Sequence, residues 1–130
     1  MKLIDVISAR KIIETKATEK VDFSLAYKFT KLIRLTNDDE EFYNKSQREI
    51  FEQYAKRDDE GNVVPDENGR YQFDTDKVVT VESELRKLAT TEVEIPESLK
   101  FTVEELTPLK FSVEEVMAFA SLIKDNDDEK

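Results

Sequence analysis

Near the C-terminal end one eight-residue phrase is written twice, ten residues apart. Leu99-Lys100-Phe101-Thr102-Val103-Glu104-Glu105-Leu106 returns as Leu109-Lys110-Phe111-Ser112-Val113-Glu114-Glu115-Val116. In each copy a hydroxyl residue stands three places ahead of a glutamate, Thr102 before Glu105 and Ser112 before Glu115. This spacing is a capping box: the hydroxyl accepts a backbone N–H of the first helical turn while the glutamate reaches back to the N-cap N–H. Each copy therefore predicts an extended Leu-Lys-Phe segment feeding into a capped helix. Pro108 cannot donate to a helix ladder, so the first helix is limited to little more than one turn. The second is free to run on through Met117, Phe119, Ala120, Leu122 and Ile123. Its stripe of Val113, Val116, Phe119 or Ala120 and Ile123 is expected to pack on a long helix earlier in the chain.

The remaining 98 positions ahead of the repeats carry mostly helical spacing. Leu3, Ile4, Ile7, Ile12 and Ile13, with Ala9 near the same face, predict a first helix ending near Lys16. Asp22 is a plausible N-cap for a helix opening at Phe23, with Ala26, Phe29, Leu32, Ile33 and Thr36 on one side. Tyr43, Gln47, Ile50 and Tyr54 continue the pattern to about Lys56. The run Asn37-Asp38-Asp39-Glu40-Glu41 either lies within one long helix or starts a second, capped by Asn37 or Asp38. Residues 58–73 change character: Asn68-Gly69 is a strong turn dipeptide, and Val63, Val64, Tyr71 and Phe73 are strand formers, so a β-hairpin is expected there. Val78, Val81, Leu85 and Leu88 form one stripe of a helix over 75–89, with Asp74 or Thr75 as cap. Thr91-Glu92-Val93-Glu94-Ile95 alternates like an edge strand and stops at Pro96. The fold class expected is mainly α with a small β component: a long helix or helix pair, a β-hairpin, and short C-terminal strands and capped helices. Residues 1–124 are expected to form a single domain, with 125–130 as a charged, frayed tail.

Composition narrows the chemistry. The chain contains no cysteine and no histidine. Disulfides and thiolate chemistry are absent, which fits a reducing compartment, and so are the commonest zinc sites, the serine and cysteine triads and an imidazole shuttle. A di-iron carboxylate bundle needs Glu-x-x-His and is excluded with them. No catalytic residue, metal ligand or cofactor-binding residue is identified, and no cofactor is expected. Glu104/Glu105 and Glu114/Glu115 resemble paired carboxylates, but their place at helix starts already accounts for them. An EF-hand loop needs acids at its first, third and fifth positions ahead of a central glycine. Counting back from Gly61 puts Lys56 first and from Gly69 puts Val64 first, so that motif fails. There is no apolar run long enough to cross a membrane, and the N-terminal run has an acid within it and no small-residue cleavage site, unlike a signal peptide.

Charge is the feature left to carry function. Residues 1–36 hold eight Lys/Arg against four Asp/Glu, a net of +4, while residues 37–130 hold twelve against twenty-six, a net of −14. Such a chain is repelled by phosphate backbones, so direct nucleic-acid binding is disfavoured. A basic surface on a partner protein is the natural complement, and solubility alone is the other account of the acidity. Lys20, Lys28, Lys31, Arg34, Lys45 and Arg48 drift around their helix and suggest a solvated face rather than a nucleic-acid ribbon. Candidate partner-binding residues are Asp38, Asp39, Glu40, Glu41, Asp58, Asp59 and Glu60, with Tyr43 and Tyr54 as half-polar aromatics beside them.

In the order of its parts the sequence resembles a family of small acidic proteins encoded by phages and prophages of Gram-positive bacteria. The resemblance rests on a helical first half leading to the Asp/Asn/Gly segment from Asp58 to Phe73, then Thr91-Glu92-Val93-Glu94-Ile95, then the tandem repeat ending in an apolar helix. It has no catalytic residues to transfer. It implies a viral accessory protein and leaves the activity open. The −14 segment and the absence of catalytic apparatus together suggest a modulator, in the host cytoplasm, that occupies a basic surface of a host protein such as a defence nuclease. The alternative is a virion or assembly protein acting by homo-oligomer formation or contacts to tail proteins.

Overall fold

The computed structural model describes residues 1–124; the tail expected at 125–130 lies outside the described residues. Among these residues the α-helices are α1 (Leu3–Lys16), α2 (Phe23–Leu35), α3 (Asn37–Tyr54), α4 (Thr75–Ala89), α5 (Val103–Leu106) and α6 (Val113–Phe119). Short 3₁₀ turns occupy Glu97–Leu99 and Ala120–Leu122. No strand is present among the described residues, only isolated bridges pairing Lys2 with Glu92, Arg57 with Val63 and Phe101 with Ile123. The class is all-helical, which corrects the expected α+β fold with its hairpin and short strands. At Thr91–Ile95 the ladder cannot grow, because the segment that meets it enters α1 at Leu3. Phe101 exchanges single bonds with Leu122 and Lys124, both 2.7 Å, before the cap at Thr102 turns the chain into α5.

The chain divides into two compact units, Met1–Glu40 with Glu92–Lys130, and Glu41–Thr91. In the first, α1 is covered over most of its circumference: Leu3, Val6, Ile7, Ala9, Arg10 and Ile13 are all buried. The core of this unit gathers Ala9, Ile13, Leu25, Leu32, Phe101, Leu106, Leu109, Phe119 and Leu122. Phe101 is its aromatic centre, with ring centroids 5.1 Å from Phe29 and 5.4 Å from Phe119, and Phe111 stands 5.9 Å from Phe119.

The written repeat is also a structural repeat. Both capping boxes form, Thr102 with Glu105 and Ser112 with Glu115. In the first copy Lys28 of α2 reaches Glu105 at 3.1 Å and lies 4.8 Å from the centroid of the Phe101 ring. In the second, Lys16 of α1 reaches Glu115 at 3.2 Å and lies 4.9 Å from the Phe111 ring. One lysine from an earlier helix thus joins a cation–π contact to an ion pair with a glutamate that is already capping its own helix. The second of these contacts orients α6. Glu115 and Phe119 are four residues apart and share a helix face, and that face is turned to α1, against which α6 packs. Val113 and Val116 therefore point outward, 77% and 44% exposed, which corrects the stripe expected to bury them on a long helix.

The helical pattern between 23 and 54 is broken at Thr36, so α2 and α3 are separate helices. Thr36 is buried, and its hydroxyl donates to Leu32 O at 2.7 Å. Arg10 holds the break. Its guanidinium donates to Ile33 O and Thr36 Oγ1, both at 2.7 Å, to Asn37 Oδ1 at 3.0 Å and to Glu40 at 2.9 Å. A helix end leaves carbonyls without intrahelical partners, and this buried arginine satisfies one of them from another helix. Asn37 is the first residue of α3 rather than its cap, because its amide oxygen accepts from Arg10.

The second unit contains the rest of α3, residues 55–74 and α4. Here the expected hairpin is replaced by two tight turns with the same construction. Asp58 Oδ1 accepts from the N–H groups of Glu60 and Asn62, both at 2.9 Å; Asp66 Oδ1 accepts from Asn68 at 2.8 Å and Arg70 at 2.9 Å. Each turn ends on a glycine in the left-handed region, Gly61 at φ 84° and Gly69 at φ 76°. An aspartate that bonds the backbone ahead of it, followed by a glycine free to adopt positive φ, is a self-sufficient turn. With two such turns only Val63, Val64 and Pro65 lie between them, and Pro65 has no N–H to give to a ladder. The segment is pinned by Phe51 of α3, whose ring is 5.5 Å from Tyr71 and 5.9 Å from Phe73.

Candidate functional site

The acid-rich candidates fall in both units. Asp38, Asp39 and Glu40 belong to the first unit and Glu41, Tyr43, Tyr54, Asp58, Asp59 and Glu60 to the second. Glu40 is held by the Arg10 guanidinium and is a structural carboxylate. Asp38 and Glu41 are exposed and Asp39 is half-buried, all in the first turns of α3, where negative charge is favoured. Tyr43, Gln47 and Tyr54 are half-buried along α3.

The double turn presents acids more openly. Asp58 and Asp66 have a carboxylate oxygen engaged by backbone N–H groups, which orders the loops without cancelling the charge. Asp59, Glu60 and Glu67 are exposed and take part in no ion pair among the described residues. Arg57, the cation nearest in sequence to Asp59 and Glu60, is turned to carbonyls instead: it donates to Gly61 O at 2.9 Å and Glu52 O at 2.7 Å, while Arg70 is exposed three residues after Glu67. Its charge braces the turn and leaves the acids at the tip unpaired. Beside them a recess of about 230 Å³ is lined by Val63, Pro65, Gly69, Arg70 and Tyr71. Asp66 and Glu67 were not among the residues singled out from the sequence. The signal was present, since Asp58-Asp59-Glu60-Gly61-Asn62 and Asp66-Glu67-Asn68-Gly69-Arg70 share the Asp-x-x-Gly-x pattern eight residues apart.

The perturbed carboxylates lie elsewhere and serve the fold. Burial pushes the Glu105 carboxyl up, but the Thr102 N–H and the Lys28 ammonium together outweigh it and hold the group below its ordinary range. The Ser112 N–H, followed by Lys16, does the same for Glu115. Glu97 is lowered by its hydrogen bond to Lys100. Among the described residues no group of three or more Cys, His, Asp or Glu is placed to hold a metal ion, and no helix is long and apolar enough to cross a membrane. In the first unit an open groove of about 340 Å³ runs between the end of α1 and the side of α2, lined by Ile13, Ala17, Val21, Ala26, Phe29 and Ile33 among others. Neither a family model, nor a curated protein, nor a solved structure matches this chain.

Proposed function

We propose that this chain is a non-enzymatic acidic binding protein that modulates a partner by occupying a basic, nucleic-acid-binding surface on it. The supporting observation is the double turn: two Asp-anchored loops hold Asp59, Glu60 and Glu67 outward while Arg57 faces backbone carbonyls. Ordered turns carry these charges at little conformational cost, and unpaired carboxylates attract a cationic surface over a Debye length of about 8–10 Å. The recess lined by Val63, Pro65, Gly69, Arg70 and Tyr71 supplies apolar area from its valine, proline and tyrosine beside them, of the kind found at interface cores. The resemblance to phage-encoded accessory proteins extends the proposal to a host protein, such as a defence nuclease, as the partner.

Immobilised chain incubated with host lysate under stepped salt tests this. The expected outcome is a captured basic protein that double-stranded DNA displaces and that rising salt elutes. A chain with Asp59→Lys, Glu60→Lys and Glu67→Lys, still folded by circular dichroism, should capture none of it. Capture that ignores ionic strength, or that survives the triple reversal, would rule the proposal out.

A further inference from the structure

Two surfaces of the first unit stay uncovered, and they are opposite in charge. The outward side of α2 shows Phe23 at 80% and Tyr27 at 50% exposure, their rings stacked at 5.8 Å. Lys31 lies over the Tyr27 ring at 4.9 Å, one turn further along. Arg34 follows on the same stripe, is exposed and takes part in no ion pair among the described residues. In a chain of net charge −10, α2 contains no acid at all. The apolar groove between α1 and α2 adjoins this stripe, because Ala26, Thr30 and Arg34 line it.

The second surface is on α6. Val113 is 77%, Met117 72% and Val116 44% exposed, and their spacing puts all three on one side of the helix. No cation occurs in α6. Glu115 is turned inward to Lys16, whereas Glu114 is exposed and has no partner among the described residues. Exposed aromatic and apolar side chains in a patch mark contact surfaces, and aromatics with arginine dominate their energetics. An amphipathic helix laid in a groove, with acids set against cations at its edge, is a recurrent recognition mode.

We infer that the α6 face of one copy docks on the α2 face of a second copy. Val113, Val116 and Met117 enter beside Phe23 and Tyr27, and Glu114 meets Arg34 and Lys31. The two faces differ, so the contact is heterologous and leaves one face of each kind free at the ends. The acids of the double turn take no part, so this contact can fail or hold independently of the function proposed above.

Sedimentation velocity and light scattering on the full chain test the contact. Mass should rise with concentration across the micromolar range and fall back as salt is raised. Arg34→Glu places like charges opposite each other and should weaken association by about tenfold or more, as should Glu114→Arg. Each variant alone should be monomeric at concentrations where the parent associates. Mixing the two should restore association, because the reversed face of one meets the reversed face of the other. Arg34 and Glu114 are both exposed, so unchanged circular dichroism is expected for each variant. A parent chain that stays monomeric throughout, association that both reversals leave intact, or a mixture that remains monomeric overturns the inference.

Discussion

Replacing Arg10 with alanine should be among the most damaging single changes in this protein. The side chain is buried, 5% exposed as a residue, and its guanidinium donates to Glu40, Ile33 O, Thr36 Oγ1 and Asn37 Oδ1. Thr36 keeps its bond to Leu32 O when the guanidinium is removed, and Asn37 is exposed and can turn to water. Ile33 O loses its 2.7 Å donor and keeps only the Thr36 hydroxyl at 3.4 Å, and the Glu40 carboxylate loses its cation. Breaking a buried pair by removing one partner costs about 3–5 kcal/mol. The Glu40 side chain is 35% accessible and can partly rehydrate, which places Arg10→Ala near the low end, about 3 kcal/mol. That corresponds to a fall in Tm of roughly 10–15 °C for a chain of this length. Arg10→Lys keeps one charge but loses the planar fork, so about half that cost is expected. Urea unfolding followed by far-ultraviolet circular dichroism measures both. A loss under about 1 kcal/mol for Arg10→Ala, or a Lys variant no better than the Ala variant, would refute the role given to the guanidinium.

The lowered carboxylates give a pH dependence with a definite sign. Glu105 and Glu115 bind protons less readily folded than unfolded, so their stabilisation is present above the ordinary carboxylate pKa of 4.5 and is lost as pH falls through the lowered folded values. Urea midpoints between pH 6 and pH 3 should therefore drop less for a Glu105→Gln, Glu115→Gln chain than for the parent; parallel curves would contradict this. Gly61→Ala and Gly69→Ala force a side chain into positive φ with no clash nearby, so each should cost about 1–2 kcal/mol, measured by urea unfolding, with Gly69→Asn costing less. Phe101→Ala empties a fully buried position and should cost about 3–5 kcal/mol, whereas Val113→Ser on the exposed face should stay within about 0.5 kcal/mol. A loss of about 2 kcal/mol or more for Val113→Ser would mean that α6 is turned the other way.

Where an element depends on neighbours three or four residues away, it was legible in the sequence. The bounds of α1 and α4, both capping boxes, and the short α5 ahead of Pro108 all follow from spacing alone. The expected hairpin is absent because the aspartate-glycine turn occurs twice in this segment, at Asp58–Gly61 and Asp66–Gly69, and overrides the strand-forming residues around it. Two self-sufficient turns leave no room for a ladder. Of the candidate site, the acids of the first turn, Asp58 to Glu60, were named, but Asp66 and Glu67 were not. The orientation of Arg57, which leaves these acids unpaired, has no local signature.

The sequence alone determined the ends of α1, α4 and α5 and the start of α6, because a cap or a proline acts through bonds to its own few neighbours; the break between α2 and α3 and the end of α6 were not written there. Tertiary structure decided what those ends are attached to. Lys28 meets Glu105 across 77 residues and Lys16 meets Glu115 across 99. Arg10 closes the end of α2 from another helix, 23 residues from the carbonyl it binds. A lysine or buried arginine has the same chemistry at any position along the chain. Only the folded backbone brings it within hydrogen-bonding distance of its partner.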